Sequence, residues 1–466
     1  MKQTDKCSNI MHIKNHRGDE FKGFYRPAFA IDSLISFSTQ IVIFGLAFIS
    51  SILISRLLGP EGKGIYSFVF LVPIMTKTII SMGINSSNVY FIGGEKFPEN
   101  RIIGNAFFYS ICVGGGVAII LLNLVPFINK YFLHNISNVY FYLTISTIPI
   151  LLLIENIYYV LLAKRKMIEL SWFRLVQPVI YIIALLFFIN CASLSIINAI
   201  IANILGILST IFLGSYFFFK NKYLTGLIPD INIFKETINF GVKQHLGTVS
   251  QLLNYRIDMF IIAAMLTPAD LGLYSISVLI AETIWYLPNS IGQVLFAKTA
   301  SEKKEDADYF TPLVCRSVIF VTFFACTVLF LISDFIIPLL FTSMFLSSVM
   351  ALKLLLPGIF FFSISKILAQ DLVGRGFPQY ASVAATISLV AIIIFDLLLI
   401  PRFGINGASL ASTISYFLSA IIILYLFKKE SQVKLGDILI IKPNDLAEYH
   451  RIISYFIAML KAKKFN

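Results

Sequence analysis

Charge is scarce in this chain: Asp, Glu, Lys and Arg make up only 13% of its 466 residues. A soluble fold of that length needs about a quarter of its residues charged to cover its surface, so a soluble globular protein is excluded. Cysteine is scarce as well. Of five, Cys112, Cys191, Cys315 and Cys326 lie in or beside apolar stretches and Cys7 lies in a basic leader. None has metal-ligand spacing, so they read as small apolar fillers and not as a disulfide framework. A nucleotide loop is lacking too. Gly59-Pro-Glu-Gly-Lys-Gly64 has the wrong spacing for a Walker A sequence, which argues against ATP hydrolysis within the chain. The histidines are scattered and form neither a nucleophilic nor a metal constellation, and no cofactor is expected. The first 30 residues are polar and basic with no apolar core of a signal peptide, so the first long hydrophobic block is expected to be a retained helix.

What is present is hydrophobic residue in bulk, 58% of the chain, arranged in blocks of about 20 or more. Blocks of that length match a hydrocarbon core of ~30 Å crossed at about 1.5 Å per residue. The expected fold class is an all-α polytopic membrane protein with twelve transmembrane helices. They are placed at 31–54, 65–92, 103–127, 139–162, 169–190, 194–219, 236–266, 270–297, 311–341, 346–373, 377–400 and 404–427. Basic residues set the orientation. With the amino terminus inside, the inner segments hold 26 of the 37 Lys and Arg and the outer loops only four (Arg56, Lys63, Lys130, Arg402), the other seven lying within helices. That asymmetry is the positive-inside pattern. It predicts a multi-pass protein of the inner (cytoplasmic) membrane with both termini in the cytoplasm. Because the net charge of +12 resides on these loops, it points to topology and not to nucleic acid.

The chain repeats itself. Leu58-Gly-Pro-Glu-Gly-Lys-Gly-Ile-Tyr-Ser67 aligns at an offset of 208 with Leu266-Thr-Pro-Ala-Asp-Leu-Gly-Leu-Tyr-Ser275, sharing Leu, Pro, Gly, Tyr and Ser. Leu162 and Arg165 echo Leu372 and Arg375 at an offset of 210. The expected organisation is a cytoplasmic leader (1–30), a six-helix lobe (31–219), a cytoplasmic linker (220–235), a second six-helix lobe (236–427) and a tail (428–466). The lobes would be related by a pseudo-two-fold along the membrane normal, with the site between them. In the tail, Leu446, Tyr449, Ile453, Phe456 and Leu460 fall on one helical face opposite Glu448, Arg451, Lys461 and Lys464, an amphipathic helix expected to lie on the cytoplasmic leaflet.

The stretch Ile54-Ser-Arg-Leu-Leu-Gly-Pro-Glu-Gly-Lys-Gly-Ile-Tyr-Ser67, then Gly83-Ile-Asn and Asn88-Val-Tyr-Phe-Ile-Gly-Gly94, resembles the polysaccharide flippases. These include the O-antigen (Wzx-type) flippases of the multidrug/oligosaccharidyl-lipid/polysaccharide exporter superfamily, and Arg174-Leu-Val-Gln-Pro-Val-Ile-Tyr181 is similar to them too. The resemblance implies translocation of an undecaprenyl-pyrophosphate-linked oligosaccharide from the inner to the outer leaflet for O-antigen, lipopolysaccharide or capsule synthesis. It implies partners that polymerise the product and set its chain length. Two further carboxy-terminal helices, which the lipid II flippases carry, are not expected here, which counts against a peptidoglycan role. A drug or small-cation exporter of the same superfamily is the alternative, and would favour an acidic cavity. A membrane polymerase is a third, but it usually needs a large outer loop.

A charge at the bilayer centre costs at least about 2.5–3.5 kcal/mol, so such residues line water or pair. Lys77 shares a helical face with Ser81 and Asn88. The eighth helix carries a stripe of Ser275, Glu282, Tyr286, Asn289 and Gln293, and at the 208 offset Ser81 matches Asn289 and Asn85 matches Gln293. In the seventh helix Lys243, Ser250, Asn254 and Asp258 share a face while His245, Thr248 and Arg256 lie roughly opposite, so this helix should be interior. Candidate substrate-binding residues are therefore Lys77, Arg256, Arg174, Ser81, Asn88, Tyr286 and Asn289, the basic ones attracting pyrophosphate. Internal salt bridging, for instance of Lys77 with Glu282, is the structural alternative. Candidate ion-coupling residues are Glu282, Asp258 and Glu155, since coupling to a proton or sodium gradient is expected in the absence of a nucleotide site. Asp306-Ala-Asp308 resembles the metal pair of glycosyltransferases but reads as part of a solvated charge run, and Gly114-Gly-Gly116 reads as close helix packing. An enzyme is not expected.

Overall fold

The structure is a computed structural model, and it describes residues 27–133, 136–191, 194–302, 304–431, 433–440 and 442. Helices make up most of it, joined by turns and short irregular segments, with no strand among the described residues. A helix bonds its backbone N–H and C=O groups internally, which is what a lipid solvent requires. Large apolar side chains such as Phe212 (78%), Phe219 (77%) and Leu331 (71%) stand exposed, as lipid-facing residues do. Among the described residues ten helices are long and apolar enough to cross a membrane. This is a multi-pass membrane protein.

Two features separate ten from the twelve read in the sequence. Helix α1 (Pro27–Ile80) runs through two expected helices and is broken at Gly59 (φ 65°, ψ −175°), a conformation glycine adopts without cost. Its apolar part, Ile35–Ile80, has 46 residues, long enough for two crossings. Helix α8 (Ile231–Met265) is too polar to count as an apolar span. Other boundaries shift as well. The expected helix 65–92 ends in α1, and a left-handed pair, Met82 and Gly83, starts α2 (Ile84–Gly93). Then follow α3 (Glu99–Phe132), α4 (Asn138–Ile145), α5 (Ile148–Ala163), α6 (Met167–Cys191) and α7 (Ile196–Lys220). The expected helix 270–297 is α9 (Pro268–Glu282), a 3₁₀ turn (Thr283–Trp285) and α10 (Tyr286–Ser301). Pro288 explains that break, because it has no N–H to offer the carbonyl four residues back. The remaining helices are α11 (Lys304–Phe341), α12 (Ser348–Gly374), α13 (Pro378–Phe403), α14 (Ile405–Glu430) and the short α15 (Leu435–Leu439). The amphipathic helix expected over 446–460 and the leader's basic residues lie outside the described residues.

The chain divides into two compact units. One comprises the described part of Met1–Leu53 with Gly83–Ile119 and Ser146–Gly241; the other comprises Ile54–Met82, Ile120–Ile145 and the described part of Val242–Asn466. Three of their limits fall inside α1, α3 and α8, and the other two at the breaks between α1 and α2 and between α4 and α5.

In the first unit Ile102, Ile103, Leu161, Phe173 and Phe218 form the apolar core. A chain of neutral polar groups crosses it: Asn88 Nδ2 donates to Asn156 Oδ1 (3.1 Å), and Asn156 Nδ2 donates to Ser110 Oγ (2.9 Å). Close packing holds at Gly114, where a Cβ would stand 3.0 Å from Pro149 Cα; Gly115 and Gly116 have open space instead. Asp230 caps α8, accepting from the N–H of Asn232 (2.9 Å) and Ile233 (3.2 Å) and pairing with Arg101.

In the second unit Leu295, Val318, Leu368, Phe427 and Ile438 lie in one core. The two copies of the sequence repeat meet here. A Cβ on Gly64 would collide with the carbonyl oxygen of Pro268 and stand 2.8 Å from Gly272 N; one on Gly272 would collide with the carbonyl oxygen of Pro60 and stand 3.0 Å from Gly64 N. Gly64 and Gly272, like Pro60 and Pro268, are 208 residues apart. The contact is therefore reciprocal, as a local two-fold demands, and only glycine permits it. Nearby, Arg56 Nε donates to the carbonyl of Leu340 (2.8 Å), satisfying the open end of α11.

Candidate functional site

Helices α8, α9 and α12 bring the charged groups of the second unit together. Arg256 donates from both terminal nitrogens to Glu282, at 2.7 and 2.9 Å, the forked geometry that guanidinium and carboxylate share. The pair is only partly buried, with side chains 29% and 24% exposed. Glu282 stands at the last residue of α9, just before the 3₁₀ turn, so the proline-induced break positions it. One residue before Arg256, the hydroxyl of Tyr255 accepts from the ammonium of Lys366 (2.7 Å), and Asn289 Oδ1 accepts from it as well (3.1 Å). The ammonium also lies 4.6 Å from the ring centre of Trp285 and 5.3 Å from that of Phe362, within cation–π range.

A second cluster is fully buried. Asp258 accepts from the Tyr274 hydroxyl through Oδ2 and from the N–H of Met259 through Oδ1 (2.7 Å). The Ser412 hydroxyl approaches the same Oδ2 at 3.5 Å. Asp396, in α13, is also fully buried, and neither of its carboxylate oxygens has a hydrogen-bond partner among the described residues. A carboxyl so placed either keeps its proton or takes a compensating cation, because burying an uncompensated charge costs several kcal/mol or more. Among the described residues there is no group of three His, Cys, Asp or Glu side chains able to hold a metal ion.

The sequence-predicted residues thus fall in several places. Arg256 and Glu282 are brought together, so the salt bridge weighed for Lys77 with Glu282 is made by Arg256. Asn289 joins them through Lys366. Tyr286 is exposed at the start of α10 and Lys77 is half-buried in α1. Ser81 is spent on the helix end, donating to the carbonyl of Thr78 (2.9 Å). In the first unit Asn88 belongs to the neutral polar chain, Arg174 donates to Gln40 Oε1 near the ring of Tyr158, and Glu155 is half-buried in α5. The polar helix α8 is anchored by partners on several sides: His245 meets the carbonyl of Ile79 (2.9 Å), Ser250 meets Thr386 (3.3 Å) and Asn254 Oδ1 accepts from buried Ser388 (3.3 Å). Asp308 is paired and not simply solvated: Arg375 donates to it (2.6 Å) and to buried Asp371 (2.6 Å).

Lys366 and Asp396 were missed. Both are charged residues within long apolar runs, and a census of intramembrane charges without regard to helical stripes would have found them.

The sequence model of a family described as polysaccharide biosynthesis protein matches residues 53–350. The chain belongs to that family. A capsular polysaccharide biosynthesis protein, CapF of Staphylococcus aureus, is 23% identical over 396 residues, covering 82% of this chain and 95% of the relative. An uncharacterized membrane protein of Methanocaldococcus jannaschii is 24% identical over 419 residues, covering 85% of this chain and 98% of its own. Among solved structures, the lipid II flippase MurJ in an inward closed conformation superposes with a TM-score of 0.74 at 18% identity, covering 90% of this chain and 93% of MurJ. An inward-facing multidrug resistance transporter of the MATE family superposes with a TM-score of 0.69 at 15% identity, covering 83% and 93%. At those identities the likeness is one of fold.

Proposed function

We propose that the protein flips an undecaprenyl-pyrophosphate-linked oligosaccharide across the inner membrane, inner to outer leaflet, for a surface polysaccharide such as capsule or O-antigen. On this reading it has twelve crossings in two six-helix halves, with both termini in the cytoplasm. The observation that carries the proposal is the forked Arg256–Glu282 pair, part-exposed in a helix of a polysaccharide-family membrane protein.

That pair links cargo to ion. A pyrophosphate that takes the forked donors of Arg256 leaves Glu282 without its partner in a low-dielectric setting, and a proton on Glu282 releases Arg256. Each event favours the other, which is the reciprocity that coupled transport requires. Asp258 and Asp396 form a second place where a proton or sodium ion meets buried negative charge. Lys77 extends the cationic surface toward the same cargo. The work is binding and movement, and no catalytic group is assigned.

The test is twofold. Cells lacking the protein should hold lipid-linked repeat units in the inner leaflet, and wild-type protein should clear them. Proteoliposomes of the Glu282→Gln variant should lose the response of flipping to an imposed pH gradient while keeping the protein in the membrane. Clearance of repeat units without the protein, or a Glu282→Gln variant that responds to the gradient as wild type does, would overturn the proposal.

A further inference from the structure

Beside Lys366 the second unit encloses a cavity of about 320 Å³. Four carboxamides line it, from Gln251, Asn289, Gln293 and Gln370, together with Tyr255 and Phe362. Asn289, Gln293 and Gln370 are exposed, so the cavity opens outward past them. Among the described residues its lining includes no carboxylate and no arginine.

Those features select a ligand. A drug cation needs an acidic wall, and a pyrophosphate needs several cationic donors, so neither fits. Apolar side chains such as Pro288, Val373 and Ile423 complete the lining, and an acyl chain packed on them would leave the four carboxamides without hydrogen-bond partners. Each carboxamide both donates and accepts hydrogen bonds, and so does a hydroxyl or acetamido group. The flat faces of Tyr255 and Phe362 suit the C–H face of a pyranose ring. Lys366 spends two of its three N–H groups on Tyr255 and Asn289, leaving one for a ligand oxygen. The volume lies at the lower end of ligand pockets, which begin near 300 Å³, so it sets the occupant at about one ring and not a chain.

We propose that this cavity is a sugar subsite that holds one uncharged hydroxyl- or acetamido-bearing pyranose residue, with Lys366, Asn289, Gln293 and Gln370 as its hydrogen-bonding wall. The inference rests on the flippase reading and names where part of its cargo is recognised.

Trp285 supplies the readout. It packs on Tyr255 and Phe362, both at 5.2 Å between ring centres, and the only other tryptophan is Trp172. In a Trp172→Phe background the full chain, purified in nanodiscs, is titrated with glucose, N-acetylglucosamine and inorganic pyrophosphate while Trp285 fluorescence is followed. Concentrations reach about 100 mM, because so small a ligand held by few contacts binds weakly. The expected result is a saturable change with at least one of the two sugars and none with pyrophosphate. The Gln293→Leu/Gln370→Leu variant should weaken that response at least tenfold while its melting temperature stays at the parent value. The proposal is overturned if neither sugar saturates, if pyrophosphate does instead, or if the double variant responds unchanged. Saturable sugar binding with no inner-leaflet repeat units in cells lacking the protein would sink the flippase reading and leave the subsite standing.

Discussion

The reciprocal contact of Gly64 and Gly272 makes a prediction that can be worked through. Replacing either glycine by alanine places a methyl group against backbone, Gly64→Ala against the Pro268 carbonyl and Gly272→Ala against the Pro60 carbonyl. Neither obstacle is a flexible side chain, so the two helices must move apart. Overpacking of this kind costs about 1–3 kcal/mol. On the proposed topology both repeat loops lie on the outer side, so this contact would seal that side in one transport state and break in the other. A penalty of that size on one state shifts the equilibrium toward the other by about 5- to 150-fold. The assay is labelling of single cysteines introduced beside the contact, at Glu61 and Asp270, by a membrane-impermeant thiol reagent. Labelling should rise in Gly64→Ala and, because the contact is reciprocal, by a similar factor in Gly272→Ala. The double variant should show less than the product of the two effects, since one separation relieves both clashes. Wild-type labelling in both single variants, or full multiplicativity in the double, would refute the argument.

Other predictions concern charge. Lys77→Ala should abolish flipping while leaving the amount of protein in the membrane unchanged, as measured by inner-leaflet repeat units and quantitative blotting. Arg375→Ala strands the buried Asp371 carboxylate, which otherwise accepts also from Thr299 (3.1 Å) and Thr311 (2.7 Å). It should cost about 3–5 kcal/mol, and Arg375→Ala/Asp371→Leu should recover part of that loss in thermal unfolding. Asp230 is half-buried, and the N–H of Ile233, then Arg101, hold its carboxyl below the usual carboxylate range. A depressed folded-state pKa gives stability that is present above the unfolded value, near 4, and lost as pH falls through the folded one. The melting-temperature gap between wild type and Asp230→Asn should therefore be constant at neutral pH and close below about pH 4.

Much of this was legible in the sequence because the lipid solvent leaves few choices. Apolar runs announced the helices, and the polar circumference of α8 announced that it is held from several sides, as Asp258, Asn254 and His245 are. The repeat announced a symmetry that Gly64 and Gly272 realise in atoms. Helix breaks were less legible. Gly59 in its left-handed conformation does not end a helix by hydrogen-bond pattern, whereas Pro288 does, and nothing in residue type alone ranks the two. Partner choice was least legible. Helical stripes rank residues by direction on one helix, but Arg256 finds Glu282 on a neighbour, and Lys366 finds Tyr255 and Asn289 on two more. Such pairings depend on the packing of helices distant in sequence.

The two copies of the repeat are alike where backbone meets backbone and unlike where polar side chains gather. At the 210 offset that joins Arg165 to Arg375, Lys366 corresponds to Asn156. In the first copy that position lies in a neutral chain from Asn88 to Ser110. In the second it bears a cation held by Tyr255 and Asn289 among aromatic rings, beside the Arg256–Glu282 pair. On the proposed flippase reading the halves need matching backbones to close on a shared axis, while this pair of equivalent positions serves the fold in the first copy and sugar recognition in the second. On that division of labour Asn156→Asp, which puts a charge into the neutral chain, should lower stability. Lys366→Gln, which keeps an N–H donor and removes the charge, should leave folding intact and impair flipping. Thermal unfolding and repeat-unit clearance measured on both variants decide it, and the reverse pattern would show that the lysine serves the fold.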